Sequence, residues 1–159
     1  MIFLQIILFL ILYTGMIAFA VRGGAINGLF FYPKPVQERA FAIGLADRED
    51  IHRKSVRFMT LFITILLFAL LLLIGVWNRV YDFKTAYWQA LLFLEVSNWY
   101  DGIVIDRLWV GHSRFWIIAG TEDIPFVKPW KEVLFKRTIA SLVWFAGAGA
   151  VAWLVILFF

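Results

Sequence analysis

The sequence predicts an all-α protein: an integral membrane four-helix bundle with a long aromatic cytoplasmic loop between helices 3 and 4. The chain has 159 residues, of which 63% are hydrophobic and 16% charged, and it has no cysteine. Soluble domains average about 45–50% apolar and about 25% charged residues. A chain this short cannot bury such an excess, because folding still leaves roughly a third of its surface exposed. Lipid must therefore be its main solvent, which excludes a soluble enzyme, a nucleic-acid-binding module and a disulfide-stabilised secreted domain.

Four segments of a single membrane domain, residues 1–159, are interpreted as spans. Three of them, 2–21, 58–77 and 138–158, are apolar and long enough to cross about 30 Å of hydrocarbon as helices. The remaining segment, 84–105, is more polar because it contains Glu95, Asn98 and Asp101. Hydropathy alone therefore leaves this segment undecided.

The distribution of Lys and Arg indicates that the segment 84–105 also crosses the membrane. If it does, the loops 22–57 and 107–137 lie on one side and hold 13 of the 15 basic residues. If it does not, the two sides hold seven and eight basic residues, which carries no orientation. The positive-inside rule therefore favours a multi-pass protein of the cell membrane, with cytoplasmic loops and both termini outside.

The first cytoplasmic loop is expected to contain helical structure. Val36, Ala40 and Ile43 recur at helical intervals within 36–45, which predicts a short surface helix. Asp47 and Asp50 resemble a capping box, because an acidic first turn follows a good N-cap residue. We expect the helix that begins there to continue without a break into the second span.

The second cytoplasmic loop, 107–137, is long and unusually aromatic for a bundle connection. Aromatic rings settle at membrane interfaces, so the loop is expected to lie along the membrane surface. The residues that carry this prediction are Trp109, Phe115, Trp116, Phe126 and Trp130.

Small residues in the fourth span permit close helix contacts. Ala146 and Ala150 form one small-xxx-small pair, and Ala148 and Ala152 form another. Such pairs let helix backbones approach closely. The contact is made either within the chain or between copies, as a homo-oligomer through helix 4.

Glu95 and Asn98 lie inside the third span, where ionisable and polar groups are costly and suggest function. At about 100° per residue they share a helix face with Asp106, whereas Asp101 lies off that face. The functional interpretation makes Glu95 and Asn98 part of a ligand-binding site. The structural interpretation makes them hydrogen-bond partners of another helix, and both remain open.

Residues 101–123 contain the densest group of ionisable side chains. Asp106, His112, Glu122 and Asp123 are candidate metal ligands, although their spacing matches no closed zinc motif. If the protein is an enzyme, His112 is the candidate general base and Asp106 the residue that orients it. The sequence identifies no metal or other cofactor and leaves catalysis itself open.

Two arginines in the same stretch are candidates for ligand binding. Arg107 and Arg114 carry guanidinium groups, which suit phosphate and carboxylate groups. The alternative interpretation is a salt-bridged surface that anchors the loop in the interface.

These observations support two functional hypotheses. The first is a small polytopic membrane protein with a polar ligand- or metal-binding site at the cytoplasmic membrane interface, acting on an amphiphilic substrate. The second is a non-catalytic subunit or scaffold of a larger membrane complex. A proton or cation path through Glu95 ranks last, because only the third span is polar.

The stretch from Pro35 to Asp123 resembles small uncharacterised bacterial four-span integral membrane proteins, which implies no activity. The segments that carry this resemblance are Gln37-Glu38-Arg39, Trp109-Val110-Gly111-His112 and Gly120-Thr121-Glu122-Asp123.

The segment Glu38-Arg39-Ala40-Phe41, together with Glu49, resembles part of the motif of the MAPEG family. That family consists of small four-span enzymes of eicosanoid and glutathione metabolism. Where the family's motif has an Asn and an inner Ala, this chain has Ala46 and Ile43. The resemblance therefore does not imply a glutathione site.

Overall fold

The computed structural model describes all residues 1–159 and contains helices and connecting segments, without strands. Two 3₁₀ helices, Ala25–Phe31 and Arg114–Trp116, lie in the connections. The prediction of an all-α protein is therefore confirmed. The six helices are α1 (Ile2–Ala20), α2 (Lys34–Ala42), α3 (Arg48–Leu71), α4 (Phe83–Tyr100), α5 (Val110–His112) and α6 (Trp130–Phe158).

Two π-helical segments extend the long helices. Leu72–Trp77 continues α3, and Asp101–Trp109 joins α4 to α5, so that one unbroken helical run extends from residue 83 to residue 112. The loop predicted over 107–137 is correspondingly shorter, because helix occupies its beginning and its end.

Three helices are long and apolar enough to cross a membrane: Ile2–Ala20, Arg48–Trp77 and Trp130–Phe158. They match the three apolar spans expected from hydropathy. The second starts at Arg48, where the Asp47 cap predicts it, whereas the third starts at Trp130, earlier than the predicted span. The helix over the segment 84–105 is not among them. Its polar residues, including Glu95 and Asp101, make it less apolar than the other three.

Aspartate caps position the starts of two long helices. Asp47 Oδ2 accepts a hydrogen bond of 3.0 Å from the backbone N–H of Asp50, which confirms the predicted start of α3. Asp82 Oδ1 accepts one of 2.9 Å from the N–H of Thr85 at the start of α4. The short helix predicted over 36–45 is found as α2.

The first buried cluster joins the four long helices. We call the end where α3 leads into α4 the hairpin end, and the opposite end the loop end. Four alanines are fully buried where α4 meets α6: Ala86, Ala90, Ala148 and Ala152. One predicted small-residue pair therefore packs within the chain, whereas Ala146 and Ala150 are exposed.

The second buried cluster lies at the loop end and joins the two long connecting segments. The hydroxyl of Tyr32 donates a hydrogen bond of 2.6 Å to the backbone carbonyl of Trp116. The Trp116 ring is 2% exposed and packs edge-on against Trp109. The expectation that this aromatic loop lies along the membrane surface is therefore wrong for Trp116, because its ring fills the core between the two segments.

Candidate functional site

A cluster of ion pairs joins the helical run 83–112 to the start of α6. Arg137 Nη2 pairs with Asp101 Oδ2 and lies 2.9 Å from Asp106 Oδ2. Lys128 Nζ lies 2.9 Å from the same Asp106 oxygen. The four side chains retain only 16–26% of their exposure. We call Asp101, Asp106, Lys128 and Arg137 the rim cluster.

The π-helical segment Asp101–Trp109 explains why both carboxylates reach one guanidinium. In an α-helix, residues five apart point about 140° away from each other. In a π-helix the hydrogen bonds run from i to i+5, so residues five apart lie roughly one turn apart. Asp101 and Asp106 therefore share a face. The placement of Asp101 off the polar face was wrong because it assumed α-helical winding throughout.

Because Gly102 has no side chain, the Arg137 side chain can pack closely against the helical run at residue 102. A Cβ atom on Gly102 would lie 2.9 Å from both Cγ and Nε of Arg137 and 3.0 Å from Val133 Cγ1. These separations are shorter than ordinary carbon contacts of about 3.5–4.0 Å. The absence of a side chain at position 102 therefore helps to fix the rim cluster.

Hydrogen bonds extend from the rim cluster into the bundle. Asn98 Nδ2 donates to the backbone carbonyl of Arg137 at 2.9 Å and to Ser141 Oγ at 3.1 Å. Ser141 Oγ donates to Glu95 Oε2 at 2.7 Å. Glu95 Oε1 and Asn98 Oδ1 are buried and have no hydrogen-bond partner. Each residue thus contacts another helix and keeps one buried oxygen able to accept a further bond.

A cavity of about 250 Å³ lies beside the rim cluster. Asp101, Asp106 and Lys128 line its charged part. The rest of the lining is mostly apolar and includes the aromatic residues Tyr13, Tyr32, Phe62, Trp116 and Phe126.

Tyr32 lines this cavity with a hydroxyl whose hydrogen bond is already made, and it contributes no charge. Its hydroxyl is committed to the carbonyl of Trp116. Burial raises the pKa of Tyr32 well above its usual value, so the hydroxyl stays protonated at neutral pH. Tyr32 therefore lines the cavity as a neutral side chain.

A second cavity of about 290 Å³ lies deeper between the helices. Tyr13 and Phe62 line both cavities, so the two are neighbours. Asn98, Arg137 and Trp144 line the deeper one, and each has a buried polar atom without a hydrogen-bond partner. Buried polar atoms are nearly always paired, so unpaired ones mark places where a polar ligand or water would gain bonds.

The two predicted ligand-binding arginines have different environments. Arg107 Nη1 donates to the backbone carbonyl of Lys128 at 2.7 Å, and its guanidinium lies 4.8 Å from the ring centre of Trp130. Arg107 thereby holds the segment that carries Lys128. Arg114 is exposed and lines neither cavity.

The predicted metal ligands have separate partners. Asp106 belongs to the rim cluster, whereas Asp123 pairs with Arg39 at 3.3 Å. His112 and Glu122 are exposed and contact backbone groups. No group of three or more His, Asp or Glu residues is arranged to hold a metal ion. His112 and Asp106 share no hydrogen bond, so the general-base arrangement is not formed in this structure.

Sequence reasoning missed Lys128, Arg137 and Ser141 as site residues. Lys128 and Arg137 were counted among the basic residues that set orientation, which concealed their pairing with carboxylates. A usable signal was present, since Arg137 directly precedes an apolar run and Ser141 follows one helical turn later.

The rim cluster, the polar chain through Asn98 and the two cavities define the site by geometry. No family model matches the chain, and no curated protein or solved structure similar to it was found.

Proposed function

We propose that this protein is a four-span membrane protein that binds an amphiphilic ligand at the cytoplasmic end of its bundle. The observation that carries the proposal is the cavity of about 250 Å³ beside the rim cluster. Its lining combines a few charged groups with mostly apolar and aromatic side chains. This mixture is typical of small-molecule sites, where polar groups fix orientation and apolar groups supply contact area.

The arrangement of the connecting segments supports four spans. The hydrogen bond from Tyr32 to Trp116 ties the segment before α3 to the segment after α5. If both segments lie on the same side of the membrane, then α1, α3, the helical run 83–112 and α6 each cross it once, which makes four crossings. The run 83–112 is long enough for the third crossing, since about 20 residues suffice. The positive-inside rule then favours a cytoplasmic loop end and both termini outside.

The charges of the rim cluster indicate the chemistry of the ligand's polar end. Two carboxylates, Asp101 and Asp106, are opposed by Arg137 and Lys128. The balanced charge favours a head that donates and accepts hydrogen bonds, such as a hydroxyl, amide or zwitterionic group. The volume lies just under the usual range of about 300–1,000 Å³ for ligand pockets. A single-chain amphiphile fits this space better than a lipid with two chains.

A cavity-filling variant tests the proposal. Val110 lines the cavity, and Val110→Phe places a larger side chain in it. The protein would be purified in native nanodiscs, extracted with organic solvent and compared by mass spectrometry with a bulk membrane extract. We expect an amphiphile enriched in the wild type at about one per chain. Val110→Phe should retain clearly less of it, because the added ring takes up volume that the ligand would fill.

Leu108→Phe is the matched control. Leu108 lies in the same helical run, is exposed and does not line the cavity. This variant should retain the amphiphile at the wild-type level. An identical extract from wild type and Val110→Phe, or no enrichment over the bulk membrane, would contradict ligand binding.

The alternative function, a subunit or scaffold, is favoured by one surface feature. Ala146 and Ala150 leave a small-residue stripe exposed on α6. If copies or partner subunits pack there, Ala150→Leu should shift the protein to a smaller assembly in native mass spectrometry. An unchanged assembly would contradict the use of this stripe.

A further inference from the structure

An open apolar groove runs along the outside of the molecule between α1 and α3. Its volume is about 500 Å³, twice that of the cavity beside the rim cluster. The α1 wall repeats at helical intervals through Leu12, Met16 and Phe19. Leu61 and Ile65 repeat in the same way on α3. Both walls belong to helices apolar enough to cross a membrane, so we expect the groove to face lipid.

The loop end of this groove is basic. Lys54 and Arg57 line it and lie three residues apart on one face of α3. Lys54 Nζ is shared between Asp50, at 2.8 Å, and Asn27 Oδ1, at 3.3 Å. Arg57 is exposed and has no ion pair or side-chain hydrogen bond. A full positive charge thus stands at the point where an apolar groove reaches the polar surface.

Gly15 widens the groove in the middle of the α1 wall. A Cβ atom on Gly15 would meet no atom within 4 Å, so the residue is not required for helix packing. Glycine inside a helix costs roughly 0.5–1 kcal/mol relative to alanine. The space that it leaves is therefore added to the groove rather than filled by a neighbouring helix.

We propose that this groove binds an anionic phospholipid, with its phosphate on Arg57 and Lys54 and one acyl chain along α1 and α3. The apolar walls fit a hydrocarbon chain. The basic residues at the loop end of the groove lie where the negative headgroup of the same lipid would be. Juxtamembrane Lys and Arg residues attract anionic lipids. The site is separate from the one under Proposed function, although Phe58 lines both.

Native mass spectrometry of the detergent-purified full chain tests this site. The probes are dioleoyl-phosphatidylglycerol and dioleoyl-phosphatidylcholine, titrated separately. We expect the wild type to retain one phosphatidylglycerol in preference to phosphatidylcholine. Arg57→Gln should lower phosphatidylglycerol affinity about fivefold, which corresponds to the loss of about one cation's attraction. Arg53→Gln, the same charge change at an exposed position outside the groove, should bind like the wild type.

A second variant tests the apolar part without touching charge. Gly15→Phe adds a ring in open space and should reduce retention of both lipids while the protein keeps its wild-type thermal stability.

Three outcomes would overturn the proposal. The first is equal retention of the two lipids by the wild type. The second is an equal loss of phosphatidylglycerol affinity in Arg53→Gln and Arg57→Gln, which would indicate that general surface charge attracts the lipid. The third is a dimer in the same spectra that excludes lipid, which would assign the groove to a second copy.

Discussion

Polar side chains connect the helices at both ends of the bundle, but the two groups differ in charge and in surroundings. At the hairpin end, Gln5 Nε2 donates to Asn78 Oδ1 at 2.6 Å, and Asn78 Nδ2 donates to Gln5 and to Gln89 at 3.2 and 2.8 Å. These neutral amides have no buried atom without a partner. At the loop end, the rim cluster is charged, borders a cavity and continues to unpaired atoms of Glu95 and Asn98.

The difference distinguishes a structural polar network from a candidate binding site. A network of neutral groups that satisfy one another fixes how helices pack, and it offers nothing further to a ligand. A charged network beside open space, with buried acceptors still unpaired, has capacity for another molecule. Four substitutions test whether the two ends of the bundle differ in this way.

Arg137→Met should have the largest effect, because it leaves Asp101 and Asp106 largely buried without their shared cation. Breaking a buried ion pair typically costs about 3–5 kcal/mol, and we expect about 3 kcal/mol for these partly exposed groups. The measurement is the free energy of unfolding in detergent. Adding Asp101→Asn and Asp106→Asn should recover most of the loss. If Arg137→Met alone were as stable as the wild type, the rim cluster would contribute little to the free energy of unfolding.

Gly102→Ala should destabilise the loop end by about 1–3 kcal/mol, because its Cβ would overlap Arg137. Thermal unfolding of the purified protein measures this effect. Gly15→Ala is the matched control, since its Cβ meets no atom within 4 Å. We expect that control to be neutral or up to about 1 kcal/mol more stable. Equal changes in stability in the two alanine variants would mean that close packing of Arg137 against Gly102 does not stabilise the loop end.

Gln5→Leu should cost only about 1 kcal/mol, because it removes neutral hydrogen bonds whose net contribution in membranes is small. The same change should leave the amphiphile content of the cavity at the wild-type level. Unfolding measurements and extraction of the same preparation give both results. If Gln5→Leu removed the ligand, the hairpin end would not be purely structural.

Asp82→Asn tests the pH response of the hairpin end and should have the smallest effect. The N–H of Thr85 holds the pKa of Asp82 below its usual value. A lowered pKa contributes stability above the unfolded pKa of about 3.9, and that contribution is lost as the pH falls through the folded pKa. Asparagine still caps a helix but does not titrate. The difference in Tm between wild type and variant should therefore shrink as the pH falls below about 5 and through the folded pKa of Asp82. A constant difference would exclude this titration.

Much of the fold follows from local patterns in the sequence. Apolar length identifies α1, α3 and α6, and the Asp47 cap marks the start of α3. These features depend on neighbouring residues only. The earlier start of α6, at Trp130, was missed because charged residues within its first turns were assigned to a loop.

The candidate site was predicted only in part. Asp106, Glu95 and Asn98 were found because polar groups in an apolar helix are conspicuous. Their partners Arg137, Lys128 and Ser141 lie more than 20 residues away in sequence. The spacing of Arg137 and Ser141 marks them as candidates, but it does not show which residues they pair with. The π-helical winding that turns Asp101 toward Arg137 was equally hidden, because it changes the helical period itself.

The loop-end core also has a consequence for how the protein is made. Tyr32 bonds a carbonyl 84 residues later in the chain. Synthesis proceeds from the N-terminus, so the cluster that contains Val21, Leu29 and Val36 stays incomplete until Trp116 has been added. During that interval its apolar residues lack part of their packing. A fragment that ends before Trp116 would lack this ring permanently, and we expect such fragments to aggregate or be degraded.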